Sequence, residues 1–163
     1  MCGINGIIHK TNSEENKVKT ALTQMNNLII HRGPDEDGFT VNCEENFSVG
    51  MAMRRLSIID LSSGKQPIYS DDKKIVIVFN GEIYNYKTLK SDLAASGVKF
   101  KTTSDTEVIL KLYEKHGVES FKWLDGMYGF SILDKNNNML FIARDFFGEK
   151  PLYYSNTSNE FLW

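Results

Sequence analysis

Cysteine, proline and long hydrophobic runs are all scarce in this sequence. Two cysteines, Cys2 and Cys43, are too few for a disulfide scaffold and have no metal-ligand company around them. The longest apolar run, "IVIVF" (Ile75–Phe79), falls far short of the roughly 20 residues that cross a bilayer. No basic segment followed by an apolar one opens the chain, so no secretory signal is expected. Neither charge sign dominates: 19 basic against 21 acidic residues leave a net charge of −2, which gives no electrostatic case for nucleic acid. Internal repeats, low-complexity tracts and a Pro-rich linker are absent. So is a Walker-type phosphate loop, and His9, His31 and His116 lack metal-ligand spacing. A reduced, cytoplasmic protein with no membrane and no nucleic-acid partner is the expectation.

What remains is an ordinary globular composition, 41% hydrophobic and 25% charged over 163 residues, enough for one domain with a real core. "CGINGIIH" fits a buried first strand. Val18, Ala21, Leu22, Met25, Leu28 and Ile29 recur at helical spacing, with Ser13 as the expected N-cap. Pro34 and two glycines shape "HRGPDEDG" (His31–Gly38) into a loop, a candidate for closing over a site. Short strands are expected at Phe39–Asn42 and Phe47–Met53. "IVIVFNGEIYN" predicts a strand running into a turn. Leu89, Leu93 and Ala94 mark a helix closed by Gly97.

"SDTEVILKLYEKHG" predicts a further helix. Ser104 and Glu107 form a capping box, Val108, Ile109, Leu112 and Tyr113 make its apolar face, and Gly117 ends it. A hairpin follows around Asn136–Asn138, and a second starts at "PLYYS", turns at "NTSN" and returns at "EFLW". Strands gathered in hairpins favour an α+β fold with antiparallel sheets. An apolar ending at Trp163 suggests either a domain cut from a longer protein or a partner strand within this chain.

Several residues are equipped for chemistry. Removal of the initiator methionine would leave Cys2 with a thiol and a free α-amine on one residue. Such an amine titrates near ~7.7–8.0, suited to accepting a proton at neutral pH. The plain alternative is a small apolar strand residue. In "FNGEIYN", Asn80 and Gly81 combine a side-chain amide with an unencumbered N–H, the parts of an oxyanion hole, or else form an ordinary turn. Glu82 faces either a cation or water. Arg55 in "RRLSIID" is able to grip a carboxylate bidentately, or is a surface arginine. Asp105 either holds an ammonium ion or simply complements the helix dipole.

In this order, these stretches resemble the N-terminal glutamine amidotransferase domain of glutamine-hydrolysing asparagine synthetases. They are "MCGI", "HRGPD", "RRLSIIDLSSGKQP", "VFNGEIYNY", "SDTEVIL", "LDGMYGFSILD" and "RDFFGEKPLYY". The resemblance covers nearly the whole chain and identifies it with class II amidotransferases of the N-terminal-nucleophile hydrolase superfamily. A related aminotransferase that makes glucosamine phosphate shares the N-terminal cysteine but words its motifs differently.

The resemblance implies a four-layer αββα sandwich of two antiparallel sheets. Cys2 would attack the side-chain amide of glutamine, and Asn80 and Gly81 would hold the oxyanion. Arg55 would bind the α-carboxylate, and Asp105 with Glu82 the α-ammonium. The backbone of Leu56, Ser57, Ile58 and Ile59 would flank the ligand. No cofactor is implied for this domain. ATP and magnesium belong to a C-terminal synthetase domain of the same full-length protein, whose Ser- and Gly-rich pyrophosphatase loop has no match here. Similar domains also serve sugar amidation in surface polysaccharide biosynthesis, and a glutamine-binding regulatory module or a plain interaction domain are the non-enzymatic alternatives. A homodimer is left open. Met53 and Glu149 depart from what many relatives carry, histidine or another polar residue in the first case and often an apolar residue in the second.

Overall fold

The computed structural model describes residues 2–56 and 64–163. Two antiparallel sheets stack face to face with helices outside both, the expected αββα sandwich. One sheet contains β1 (Gly3–His9), β2 (Glu36–Cys43), β3 (Ser48–Arg55), β8 (Ser155–Asn156) and β9 (Glu160–Leu162), in the order β2-β3-β1-β9-β8. The other contains β4 (Ile68–Tyr69), β5 (Ile75–Ile83), β6 (Gly126–Asp134) and β7 (Met139–Arg144), in the order β4-β5-β6-β7. Helix α1 (Glu15–Leu28) covers the first sheet. Helices α2 (Tyr86–Ala95) and α3 (Asp105–His116) cover the second.

The alternation of each strand decides where its side chains go. In β5, Ile75, Ile77, Phe79 and Ile83 pack outward with Ile109, Leu110 and Tyr113 of α3. Val76 and Val78 point the other way and meet Val49, Met51 and Met53 of β3 and Leu133 of β6 between the sheets. Burial on both faces explains why "IVIVF" is continuously apolar rather than alternating. Ile4 and Ile8 of β1 join the same inter-sheet core, while Ile7 faces Val18 and Leu22 of α1.

Several local expectations are corrected. Ser13 does not cap α1: its backbone N–H and carbonyl are both engaged by the Ser48 hydroxyl, and Glu14 takes the cap position without a side-chain bond. Ser104 does cap α3, by accepting from the Thr106 N–H at 3.1 Å. The reciprocal half of the capping box is missing, because the Glu107 carboxylate turns to the N–H groups of Lys101 and Thr102. β2 starts at Glu36, so the end of "HRGPDEDG" is strand rather than loop. The last hairpin uses Ser155–Asn156 instead of "PLYY", whose tyrosines Tyr153 and Tyr154 are exposed. Gly97 and Gly117 end their helices at φ of 90° and 65°, as expected of left-handed terminators.

Trp163 follows β9, its backbone hydrogen-bonded in both directions to Gly6 of β1. Its indole lies in the inter-sheet core and donates to the Ser131 hydroxyl at 2.7 Å. A Cβ on Gly6 would come within 2.1 Å of that ring. At Gly129 the nearest atoms to an added Cβ are 3.8 Å away. Gly6→Ala is therefore expected to cost about 1–3 kcal/mol, whereas Gly129→Ala stays within about 0.5 kcal/mol of the parent. Thermal melts of the two variants check this, and equal melting would remove the indole packing from the account.

Candidate active site

The inter-sheet rows end in polar groups. Cys2 continues the row of Ile4 and Ile8 in β1, Arg55 continues Val49, Met51 and Met53 in β3, and Asn80 continues Val76 and Val78 in β5. Apolar rows hold the sheets together, and the next residues in phase are a thiol, a guanidinium and an amide at one end of the sandwich. There, a cavity of about 210 Å³ is lined by Cys2, Arg55, Leu56, Asn80, Gly81, Glu82 and Asp105. Of the expected site residues, only Ser57, Ile58 and Ile59 lie outside the described residues.

Cys2 is held from two sides. The Leu56 N–H donates to its Sγ at 3.4 Å, and Arg32 Nε donates to its carbonyl oxygen at 3.3 Å. Gly33 lets the Arg32 turn close on the end of β3, where a Cβ would stand 2.5 Å from the Arg54–Arg55 peptide. The Asp35 N–H donates to the Arg55 carbonyl, so "HRGPDE" is tied to the site strands along its length.

Arg55 is 6% exposed, not the surface arginine of the plain reading. Its Nη1 pairs with Glu36 Oε2 at 2.8 Å. Glu36 went unrecognised in the sequence: it lies directly opposite Arg55 in the β2–β3 register, a pairing that only the fold creates. Asn80 is buried, and no hydrogen bond from its side-chain amide reaches a described residue. Its amide is a polar group on the cavity wall with its capacity unspent. At Gly81 a Cβ would sit 2.1 Å from the Met127 carbonyl oxygen and 2.7 Å from Tyr128 Cα, so the approach of β5 to β6 requires glycine. Lys150 and Gln66, also buried on the cavity wall, were likewise missed; both fall inside quoted motif stretches, but neither was given a role.

Asp105 opens α3 and accepts from the Ile83 N–H at 3.0 Å. Burial holds its carboxyl above the usual aspartate range, and the negative charge of Glu82 adds to this. Hydrogen bonds from the Ile83 and Thr106 N–H groups oppose it. A partly desolvated carboxylate raised in this way is stabilised by an incoming cation. The cavity thus offers a thiol, an unspent amide, a cation and an anion, arranged around a space for a small zwitterion.

A family model described as glutamine amidotransferase domain matches residues 1–163. The chain is 44% identical over 165 residues to asparagine synthetase [glutamine-hydrolyzing] 1 of Bacillus subtilis, covering 98% of this chain and 25% of that protein. It is 43% identical to a putative asparagine synthetase [glutamine-hydrolyzing] 2 of Methanocaldococcus jannaschii, covering all of this chain and 33% of that one. The chain therefore spans a quarter to a third of the length of these relatives. Among solved structures, glutamine phosphoribosylpyrophosphate amidotransferase of B. subtilis superposes with a TM-score of 0.72 at 20% identity, over 98% of this chain and 41% of that one. The allosteric regulatory enzyme of purine biosynthesis superposes with a TM-score of 0.75, also at 20% identity and with the same coverage. At that identity they establish the fold.

The Asp105 carboxyl binds more protons folded than unfolded between its ordinary pKa of 3.8 and its raised value, so its contribution to stability falls as pH rises through that window. Asp105→Asn removes this cost. The variant is expected to melt no lower than the parent at neutral pH while losing affinity for a zwitterionic amino acid. Melting with and without ligand checks both, and a variant that keeps parental affinity would take the ammonium role away from Asp105.

Proposed function

This chain belongs to the glutamine amidotransferase domain family, and from that premise we propose that it hydrolyses glutamine to glutamate and ammonia with Cys2 as nucleophile. The observation that carries the reading is the meeting of Cys2, Arg55, Asn80, Gly81 and Asp105 around one cavity from four separate stretches of sequence. Each zwitterionic end is assigned an opposite charge on the cavity wall: Arg55, itself paired with Glu36, for the α-carboxylate and Asp105 with Glu82 for the α-ammonium. Leu56 supplies backbone beside the ligand.

With the initiator methionine removed, the α-amine of Cys2 takes the thiol proton, and the sulfur attacks the side-chain amide carbon. The carbonyl oxygen becomes an oxyanion held by the Asn80 amide and the Gly81 N–H. Losing one donor of this kind costs roughly 3–4 kcal/mol of transition-state stabilisation. The ammonium form of the amine returns its proton to the leaving nitrogen, and the C–N bond breaks to give ammonia and a γ-glutamyl thioester. Water, deprotonated by the same amine, then attacks the thioester. The C–S bond breaks, the thiol regains a proton and glutamate leaves.

The same proposal gives the ammonia a destination, an ATP- and magnesium-dependent synthetase domain that forms asparagine in a longer protein. The named relatives support this acceptor over sugar amidation. Cytoplasmic residence fits the same reading; among the described residues no helix is long and apolar enough to cross a membrane.

Ammonia release from glutamine tests the proposal. The trimmed chain, its methionine loss verified by intact mass, should liberate ammonia. Cys2→Ala should fall below detection, since removing a nucleophile costs about 10⁶-fold in a comparable acyl-transfer enzyme. Equal turnover by the two proteins would exclude Cys2 as nucleophile.

A further inference from the structure

Among the described residues, the edge of β5 next to the cavity has one short strand partner. β4 pairs with it at Ile68–Ile77 and Tyr69–Val76. The same register would place Gln66 opposite Phe79, but Pro67, which has no N–H, intervenes. At that point the Gln66 side chain takes over. Its Oε1 accepts from the Phe79 N–H at 2.6 Å and its Nε2 donates to the Phe79 carbonyl at 3.1 Å. Its Nε2 also lies 3.4 Å from Thr106 Oγ1, on the first turn of α3 beside Asp105. Gln66 is 7% exposed, so these bonds are made away from bulk water.

Alternate N–H groups of a strand point to the same edge. Phe79 gives its N–H to Gln66, and Ile83 gives its N–H to Asp105. The Tyr84 N–H goes the other way, to the Asp125 carbonyl beyond β6. Gly81 stands midway between Phe79 and Ile83, so its N–H points to their edge, and there it reaches no described acceptor. Three successive outward N–H groups thus have one amide stop, one vacancy and one carboxylate stop. The vacancy is the proposed oxyanion donor.

We propose that Gln66 is a positioning residue for the oxyanion site. It caps the Phe79 peptide in both directions, fixes the phase and height of the β5 edge one residue before Asn80, and links that edge through Thr106 to the helix end carrying Asp105. The inference rests on the glutaminase reading and adds a residue that does not touch the reacting atoms. A misplacement of about 1 Å at such a site lowers turnover by as much as about a hundredfold.

The test uses Gln66→Met and Gln66→Glu in the trimmed chain. The first keeps side-chain length and loses both bonds. The second keeps the acceptor and, when ionised, sets a carboxylate against the Phe79 carbonyl. Gln66→Met should lower kcat by about tenfold to a hundredfold with KM for glutamine within about threefold. Its affinity for the γ-aldehyde of glutamic acid should fall by the same factor as kcat. That aldehyde adds the Cys2 thiol to its carbonyl carbon, placing an oxygen in the donor site. For Gln66→Glu, kcat relative to the parent should rise as pH falls, because a protonated carboxyl again donates to the Phe79 carbonyl. This ratio decides the matter if Gln66→Met does not fold.

Unchanged kcat and aldehyde affinity in Gln66→Met, an equal loss of affinity for aldehyde and glutamate, or a flat Gln66→Glu ratio would each overturn the assignment. Absence of ammonia release from the parent would count against the glutaminase reading instead. The aldehyde titration, which needs no turnover, would still decide the role of Gln66.

Discussion

Face-to-face stacking of β1 and β3 on β5 is the constraint from which the site follows. Each strand sends every second side chain into the space between the sheets, and the packed rows of Ile, Val and Met fix the phase of all three strands at once. A one-residue slip in any of them would turn its apolar row outward. It would also swing Cys2, Arg55 or Asn80 away from the cavity. Core burial thus sets the phase of the strands that carry the site, and the Asn80 amide is left to face a ligand.

The unspent amide of Asn80 is the feature that separates this cavity from a structural polar cluster. Elsewhere in the molecule, buried carboxylates are saturated: Glu107 accepts from two backbone N–H groups and a hydroxyl, and Asp145 caps a turn through the N–H groups of Glu149, Lys150 and Tyr128. Those hydrogen bonds hold the Asp145 carboxyl below the usual range despite its burial. Asp105, by contrast, is held above that range. The opposite shifts of these two aspartates separate a carboxylate satisfied by its own turn from one that is desolvated on the cavity wall.

Local pattern carried much of this into the sequence. "IVIVF" announced a buried strand, and the spacing of Val108, Ile109, Leu112 and Tyr113 announced the face of α3, because burial writes periodicity directly into the chain. Cys2, Arg55, Asn80, Gly81 and Asp105 were legible through motifs rather than through physics. Each had a duller reading that the residues alone favoured. Gln66 and Glu36 were not legible, because their roles depend on register between strands distant in sequence. The end-cap errors at Ser13 and Glu107 have a related cause. A side chain with two competing backbone partners takes the one that tertiary packing brings closer, and spacing alone does not reveal that choice.

Selective alkylation is the most direct check on the central claim that Cys2 is an activated nucleophile in a glutamine-shaped cavity. Cys43 lies exposed at the end of β2 and serves as a control within the same molecule. Treatment of the trimmed protein with an electrophilic glutamine analogue, read by peptide mass, should modify Cys2 first, with glutamine slowing the reaction and Cys43 left intact. Faster modification of Cys43, or a rate at Cys2 that glutamine does not slow, would contradict the account.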